Sequence, residues 1–343
     1  MRSLTLVVVL ALATVACRGG SATGDDVAGP DAPDGVGCTT TTPRAVEPEA
    51  FVGPVGLQAR LTTLIDSAQT TLDVQMYLFT VKPLAERIVA AKARGVTVRV
   101  ILDPDEAGNA AVMPTLTSGQ VPVRQATMLY PFSHAKYLVI DGTTAVIMSM
   151  NFNVDAMNNE RNYGIVDRDP EDVADVAAIF EMDWAAAGNE PVLAADLTCT
   201  RLVVSPNNAK QRLLELIASA HQTLEIEALY VSETSVRNAI GTAAQRGVAV
   251  RVILESPQDQ PGNADAAAYF QSLGIPVHYV TTEFYLHAKL IVADGVAFVG
   301  SENFSVTGLT KNRELGAIVF EPAQAAVMTT QFDADFAATS PAP

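Results

Sequence analysis

The sequence predicts an α/β protein made of two copies of one unit, each a sandwich of helices on a mainly parallel sheet, with a site at the pseudo-twofold interface. Three observations predict it. Short blocks repeat at a nearly constant offset: IDSAQTTL (65–72) matches IASAHQTL (217–224), GVTVRVIL (95–102) matches GVAVRVIL (247–254), and SHAKYLVI (133–140) matches LHAKLIVA (286–293). Helix-like stretches alternate with strand-like runs in the same order in both copies. The strand-like runs are rich in Val and Ile without polar alternation, as suits strands buried on both faces.

The elements follow in order. A helical stretch, Leu57–Gln69 or Ala209–Gln222, precedes a strand-like run, TLDVQMYLF or TLEIEALYV. Ser205-Pro206 offers a capping residue and a first-turn proline to the second of these helices. Another helix, Pro83–Arg94 or Ser235–Arg246, stops at Gly95 or Gly247, as helices often do. The buried runs VTVRVIL and VAVRVIL come next. NADAAAYFQSLG then reads as a third helix in the second copy, with a weaker counterpart in the first. IPVHYV, AKLIVA, VAFVG and RELGAIVF are strand-like, and a terminal helix closes each copy. Trp184, on the amphipathic stretch EDVADVAAIFEMDWAAA, is expected in the core.

Composition bounds the function. Apolar residues make up 49% and charged residues 17% of 343, a globular balance with a formal net charge of −16. Such an acidic chain is a poor general binder of nucleic acid, which needs many Lys/Arg–phosphate contacts. A few placed cations in a cleft can still hold one phosphate. The start, MRSLTLVVVLALATVAC, has one Arg and an apolar run of signal-peptide length. Small residues before Cys17 resemble a bacterial lipobox, although Thr14 stands where Leu is common, so lipidation of Cys17 and ordinary secretion are both expectations. Export places the protein outside the bacterial cytoplasm, as an anchored lipoprotein or a secreted or periplasmic protein. Residues 18–50, rich in Gly, Pro, Asp and Thr, read as a tether. The domain reading is a leader (1–17), the tether (18–50), a first half (51–196) and a second half (197–343). In an oxidising compartment Cys38 and Cys199 are a candidate disulfide, two buried thiols being the alternative. No Cys or His cluster suggests a metal, and no cofactor is expected.

The specific signal is a pair of HxKxxxxD motifs. His134, Lys136 and Asp141 form one; His287, Lys289 and Asp294 form the other, and the chain has only four His and six Lys. His221 and His278 lack such partners and read as surface or packing residues. Each motif is followed by a Ser-x-Asn, ending at Asn151 or Asn303, and by an NxE ending at Glu160 or Glu314. Met148 stands where the second copy has Gly300, which would narrow the first half of the pocket.

These paired motifs resemble the phospholipase D superfamily over residues 50–340. The resemblance implies two phospholipase D-like halves, a covalent phosphohistidine, His134 as nucleophile and His287 as acid. The residue types suit that chemistry. Lys136 and Lys289 supply ammoniums, and Asn151 and Asn303 amide donors, for the non-bridging oxygens of a phosphodiester. His and Lys two apart share one face of a strand. Glu160 and Glu314 can accept ring N–H groups of the two His and fix their tautomers. Asp141 and Asp294 are expected to support the motif loops. One His neutral and one protonated predicts a bell-shaped pH–rate profile. Tyr130, Phe132, Phe284 and Tyr285, just before the motifs, either line an entrance or pack on the sheet.

The first functional expectation is a metal-independent phosphodiesterase that cleaves phospholipid head groups beside a membrane, with transphosphatidylation to alcohols. The alternatives are an exported nuclease and a cardiolipin-synthase-like phosphatidyl transferase. With both motifs in one chain, a monomer suffices. A non-catalytic scaffold would be free to lose His, Lys, Asp, Asn or Glu, and both copies keep them.

Overall fold

The motif-bearing strands are buried at every position, and apolar after Lys289, because both of their faces are covered in the computed structural model. It describes residues 43–281 and 284–343; the leader with Cys17, and Cys38, lie outside the described residues. The first half runs β1 (Glu49–Gly53), α1 (Leu57–Ser67), β2 (Thr71–Met76), α2 (Lys82–Ala93), β3 (Thr97–Leu102), a 3-10 turn (Ala107–Ala111), α3 (Met113–Ser118), β4 (Val123–Gln125), β5 (Tyr137–Ile140), β6 (Thr144–Met148), α4 (Val154–Asn158), β7 (Glu160–Asp167) and α5 (Pro170–Ala187). The second half runs β8 (Leu202–Ser205), α6 (Ala209–Ser219), β9 (Thr223–Ala228), α7 (Thr234–Gln245), β10 (Ala249–Leu254), α8 (Asn263–Ser272), β11 (Val277–Tyr279), β12 (Tyr285–Leu286), β13 (Lys289–Ala293), β14 (Val296–Gly300), α9 (Val306–Thr310), β15 (Glu314–Val319), α10 (Pro322–Ala338) and β16 (Ser340–Pro341).

The sheets are mixed, which corrects the expectation of mainly parallel ones. The strand order is β1-β7-β6-β5-β2-β3-β4 in one sheet and β16-β11-β10-β9-β13-β14-β15-β8 in the other. β2, β3 and β4, and likewise β9, β10 and β11, are parallel neighbours, and the short β12 runs parallel to β7 of the other half; the remaining named pairs are antiparallel. A parallel neighbour needs a crossover of roughly a dozen residues or more, and helix-bearing crossovers join β2 to β3 to β4 and β9 to β10 to β11. β5 and β6 are separated by residues 141–143, β13 and β14 by 294–295, which leaves room only for hairpins.

Along β5, Leu138 and Ile140 face an outer core with Leu61, Ile65 and Ile88 of α1 and α2. Tyr137 and Val139 face a central core. In β13, Ile291 and Ala293 face the second outer core while Leu290 and Val292 join the central one. The central core draws on both sheets and on Ile179 and Met328 of α5 and α10. Each apolar side chain buried there contributes about 1.5–3 kcal/mol. Trp184 packs at its margin, stacked on Phe180 and under the Arg124 guanidinium.

Several expectations change in detail. Ser205 ends β8 and does not cap α6. The N-cap position is Asn208, whose side-chain oxygen turns back to accept the Val204 N–H at 2.7 Å. Part of the stretch that composition assigns to the tether is packed: Arg44 is buried, with Nε 2.8 Å from Asp167 and 2.5 Å from Asp172 and a third carboxylate, Glu321, at 3.1 Å. Cys199 is disulfide-bonded; its expected partner Cys38 lies outside the described residues. His221 is exposed and His278 stacks on Phe336. Among the described residues no helix is long and apolar enough to cross a membrane.

Candidate active site

The two halves exchange backbone at the motifs. The His134 N–H donates to the Arg313 carbonyl at 2.8 Å, and the Arg313 N–H donates to the Phe132 carbonyl at 2.9 Å. Reciprocally, β12 pairs with the start of β7, and the His287 N–H donates to the Arg161 carbonyl at 3.1 Å. Two carboxylates pin the approaching segments: Asp103 accepts the Ser133 N–H at 2.6 Å, and Glu255 the Leu286 N–H at 2.5 Å. These two were not singled out from sequence, although they stand at matching places after the repeated VRVIL runs.

Each motif histidine is held by the opposite half. His134 Nδ1 lies 2.8 and 3.0 Å from the two oxygens of Glu314. His287 Nδ1 lies 3.1 Å from Asn162 Oδ1, with Glu160 further off at 3.8 Å. Glu160 and Glu314 are therefore not equivalents, contrary to their similar spacing from the two His. Met148 pairs with Gly164 and Gly300 with Gly316. Arg161 and Arg313 both receive a motif N–H and both bind an inter-half aspartate, Asp335 and Asp183. In that register Glu160-Arg161-Asn162 matches Asn312-Arg313-Glu314, so Glu and Asn have exchanged places. The β5–β6 turn is one residue longer than the β13–β14 turn, which hid the true register in the spacing. Within each triplet the amide supports the acid: Asn162 donates to Glu160 at 3.1 Å and Asn312 to Glu314 at 3.0 Å.

Lys136 and Lys289 are buried beside the rings. Lys136 Nζ donates to the His134 carbonyl, and Lys289 Nζ to the His287 carbonyl at 2.5 Å. Tyr77 covers this side, its ring 5.0 Å from the Lys136 ammonium and 4.6 Å from the His134 ring. Burial disfavours the charged forms. It pushes Lys136 down to about 7, against the pull of Glu314, and Lys289 well below its ordinary value. Burial also lowers His134, with Glu314 opposing, and lowers His287 further because Lys289 and Lys136 add to it. Burial alone would raise Glu314, but His134 and Lys136 hold it below the usual range. Glu160 is pushed up by burial, with Asn162 opposing.

Asn303 lines the cavity at His134, and the side-chain oxygens of Asn151 and Asn303 are both buried with no hydrogen-bond partner. Ser149 and Ser301 brace the loops by accepting the Tyr163 and Leu315 N–H groups, both at 3.0 Å. Asp141 and Asp294 stand apart from the motif histidines and lysines. They lie five residues past the Lys, roughly 16 Å along an extended strand. Both start hairpin turns in left-handed backbone, at φ 54° and 48°, each followed by a Gly at positive φ. Asp141 accepts the N–H groups of Gln69, Thr70 and Thr71, and Asp294 those of His221, Gln222 and Thr223. The expected support role is what remains. Met148 lies in the outer core of the first half.

The aromatic residues divide. Phe132 lines a cavity of about 370 Å³ with Tyr77, His134, Tyr230 and Asn303. Tyr285 lines a smaller one of about 240 Å³ with Glu160 and Asp155. Tyr130 and Phe284 instead sit against the Arg313 and Arg161 guanidiniums. A larger open cavity of about 550 Å³ on α6, beside Leu309, contains none of the motif residues.

Paired histidines, lysines and amides thus meet at the junction of two α/β halves. The family model described as "Cardiolipin synthase, PLD-like domain" matches residues 61–184 and again 213–336, and the chain belongs to this family. It is 25% identical over 308 residues to a probable cardiolipin synthase of Bacillus subtilis, covering 78% of this chain and 61% of that one. It is 32% identical over 126 residues to the mitochondrial cardiolipin hydrolase of Xenopus tropicalis, covering 36% and 60%. The chain thus spans less than two thirds of these relatives' length. Its fold resembles that of phosphatidylserine synthase from Haemophilus influenzae, with a TM-score of 0.69 at 14% identity, covering 88% of this chain and 90% of that one.

Proposed function

We propose that the protein cleaves a phosphodiester of a phospholipid through a phosphatidyl–histidine and passes the phosphatidyl group to an alcohol, water being the competing acceptor. The observation that carries this reading is the unequal pairing of the rings, His134 on a carboxylate and His287 on an amide. Transfer takes precedence over the hydrolysis expected from sequence because the family model and the B. subtilis relative are both described as cardiolipin synthases.

In the first step His134 Nε2 attacks phosphorus, and the bond from phosphorus to the head-group oxygen breaks. His287 Nε2–H gives its proton to that oxygen. The phosphorylated ring keeps its Nδ1–H and is cationic, so the Glu314 carboxylate beside it stabilises the intermediate. His287, without a contacting carboxylate, is the stronger acid once protonated. In the second step the acceptor oxygen attacks, His287 Nε2 takes its proton, and the phosphorus–nitrogen bond breaks. Lys136, Lys289, Asn151 and Asn303 neutralise the phosphate oxygens throughout. The chain's acidity supports a lipid over a nucleic acid substrate. The leader-like start supports work outside the cytoplasm, beside a membrane, and the presence of both motifs in one chain supports a monomer.

The test uses phosphatidylglycerol vesicles with ethanol and EDTA, and mass spectrometry of the lipids. Phosphatidylethanol together with released glycerol, absent in H134N, is the expected result. Phosphatidic acid alone would make the protein a hydrolase. No lipid product, with cleavage of single-stranded DNA, would overturn the lipid reading in favour of a nuclease.

A further inference from the structure

Glu302, two residues beyond the end of β14, is fully buried, and neither of its carboxyl oxygens has a hydrogen-bond partner. They lie near the N–H groups of Ser301 and of Glu302 itself without bonding to them. The side chain fills a space kept open by two glycines: a Cβ on Gly300 or Gly316 would meet Oε2 at 2.3 or 2.8 Å. In the first half, Met148 and Met150 stand at the places of Gly300 and Glu302 and are buried in the outer core. Only one half therefore carries this acid.

The charged groups that bear on Glu302 are Glu314, Lys136 and Lys289. Burial, reinforced by Glu314, pushes Glu302 well above the ordinary carboxylate range. The two lysines are depressed by the same burial, and the hydrogen bond of each goes to a backbone carbonyl of its own motif. Buried acid and buried base without paired charges are cheapest as neutral groups. An arriving phosphodiester reverses that balance, because its charge favours ammonium next to it.

We propose that Glu302 is a positioning residue that stores, as a neutral carboxylic acid, the proton the Lys136–Lys289 pair takes up when a phosphodiester anion enters. One O–H bond of Glu302 breaks and one N–H bond forms on a lysine Nζ, with no proton drawn from solvent. Ammonium then faces phosphate while the carboxylate stays behind it. This rests on the proposed reading only in requiring a phosphodiester at the site, not a lipid.

The experiment is calorimetry with dimethyl phosphate, which carries no titrating proton in the working range, near pH 8 in two buffers of different ionisation enthalpy. The native protein takes up close to no proton on binding. E302Q, and E302M, which installs the residue of the first half, take up close to one. In turnover, E302Q shows a KM rising by about tenfold per pH unit in the alkaline range, with kcat little changed, whereas the native KM stays flat. Thermal melts establish which variants fold, and E302M carries the comparison if E302Q does not. Equal proton uptake in native and variant proteins overturns the inference. Failure of dimethyl phosphate to bind any of them overturns both this inference and the phosphodiester site. The expected proton pattern without lipid turnover keeps the inference and removes the lipid reading.

Discussion

His134 and His287 occupy equivalent places in two copies of one fold, receive equivalent backbone hydrogen bonds and stand beside equivalent lysines, yet their Nδ1 atoms meet different groups. Glu314 contacts one at 2.8 Å and Asn162 the other at 3.1 Å. A duplicated scaffold makes two equal rings, whereas a two-step displacement needs one ring to carry a covalent charge and the other to release a proton. Exchanging Glu and Asn between two matched triplets separates these tasks without changing the backbone. Glu302 against Met150 is a second difference of the same kind.

The largest expected effect tests whether the rings differ at all. H134N and H287N should each lower phospholipid turnover by at least about 10³-fold, or roughly 4 kcal/mol of barrier. With a p-nitrophenyl leaving group, which needs no proton, H287N should recover a first burst of p-nitrophenol and H134N should not. Equal recovery of both would mean the roles are shared.

The next effect tests the partners. E314Q should cost about 10²-fold in kcat/KM and E160Q nearer tenfold, since only Glu314 contacts its ring. Equal losses would restore the symmetric view.

Titration sharpens the contrast. Attack needs neutral His134, and burial places its titration below the ordinary 6.5. The acid limb of kcat/KM therefore lies below that value, with activity lost as pH falls through it. Glu314 opposes the depression, so E314Q should move the limb to still lower pH. N162D should act on the other ring, placing a carboxylate beside His287 and raising it, measured as a displaced pH profile of kcat that E314Q does not reproduce.

The smallest effect concerns the hairpin aspartates. D141A should lower stability by roughly 1–2 kcal/mol while kcat changes less than about twofold. The Asp141 carboxyl is held below its ordinary value by the N–H groups of Thr70, Thr71 and Gln69, which outweigh burial. Its contribution is present above the unfolded value and is lost as pH falls through the folded one. Native and D141N melting temperatures should therefore converge in acid.

Much of this was legible in the sequence. The duplication, the helices and the motif strands follow from repeated blocks and apolar runs, and paired HxKxxxxD marks the residues that meet where the halves join. Strand direction was not legible, because residues buried on both faces look alike in parallel and antiparallel sheets. The aspartates belong to the motif by spacing but to a turn by chemistry, since Asp-Gly is a hairpin pair. Asn162 escaped notice because counting from the histidines crosses turns of unequal length. Glu302 was visible as a letter, but its burial between Gly300 and Gly316 is a property of the packed chain.

The most direct test is to trap the intermediate. H287N, mixed with a p-nitrophenyl phosphodiester, whose leaving group needs no acid, and quenched rapidly, should yield a peptide carrying the substrate's phosphoryl group on His134, stable in alkali and released by acid. The same adduct on another residue, or turnover by the native protein with no adduct at any time, would contradict the assignment of His134 as the nucleophile.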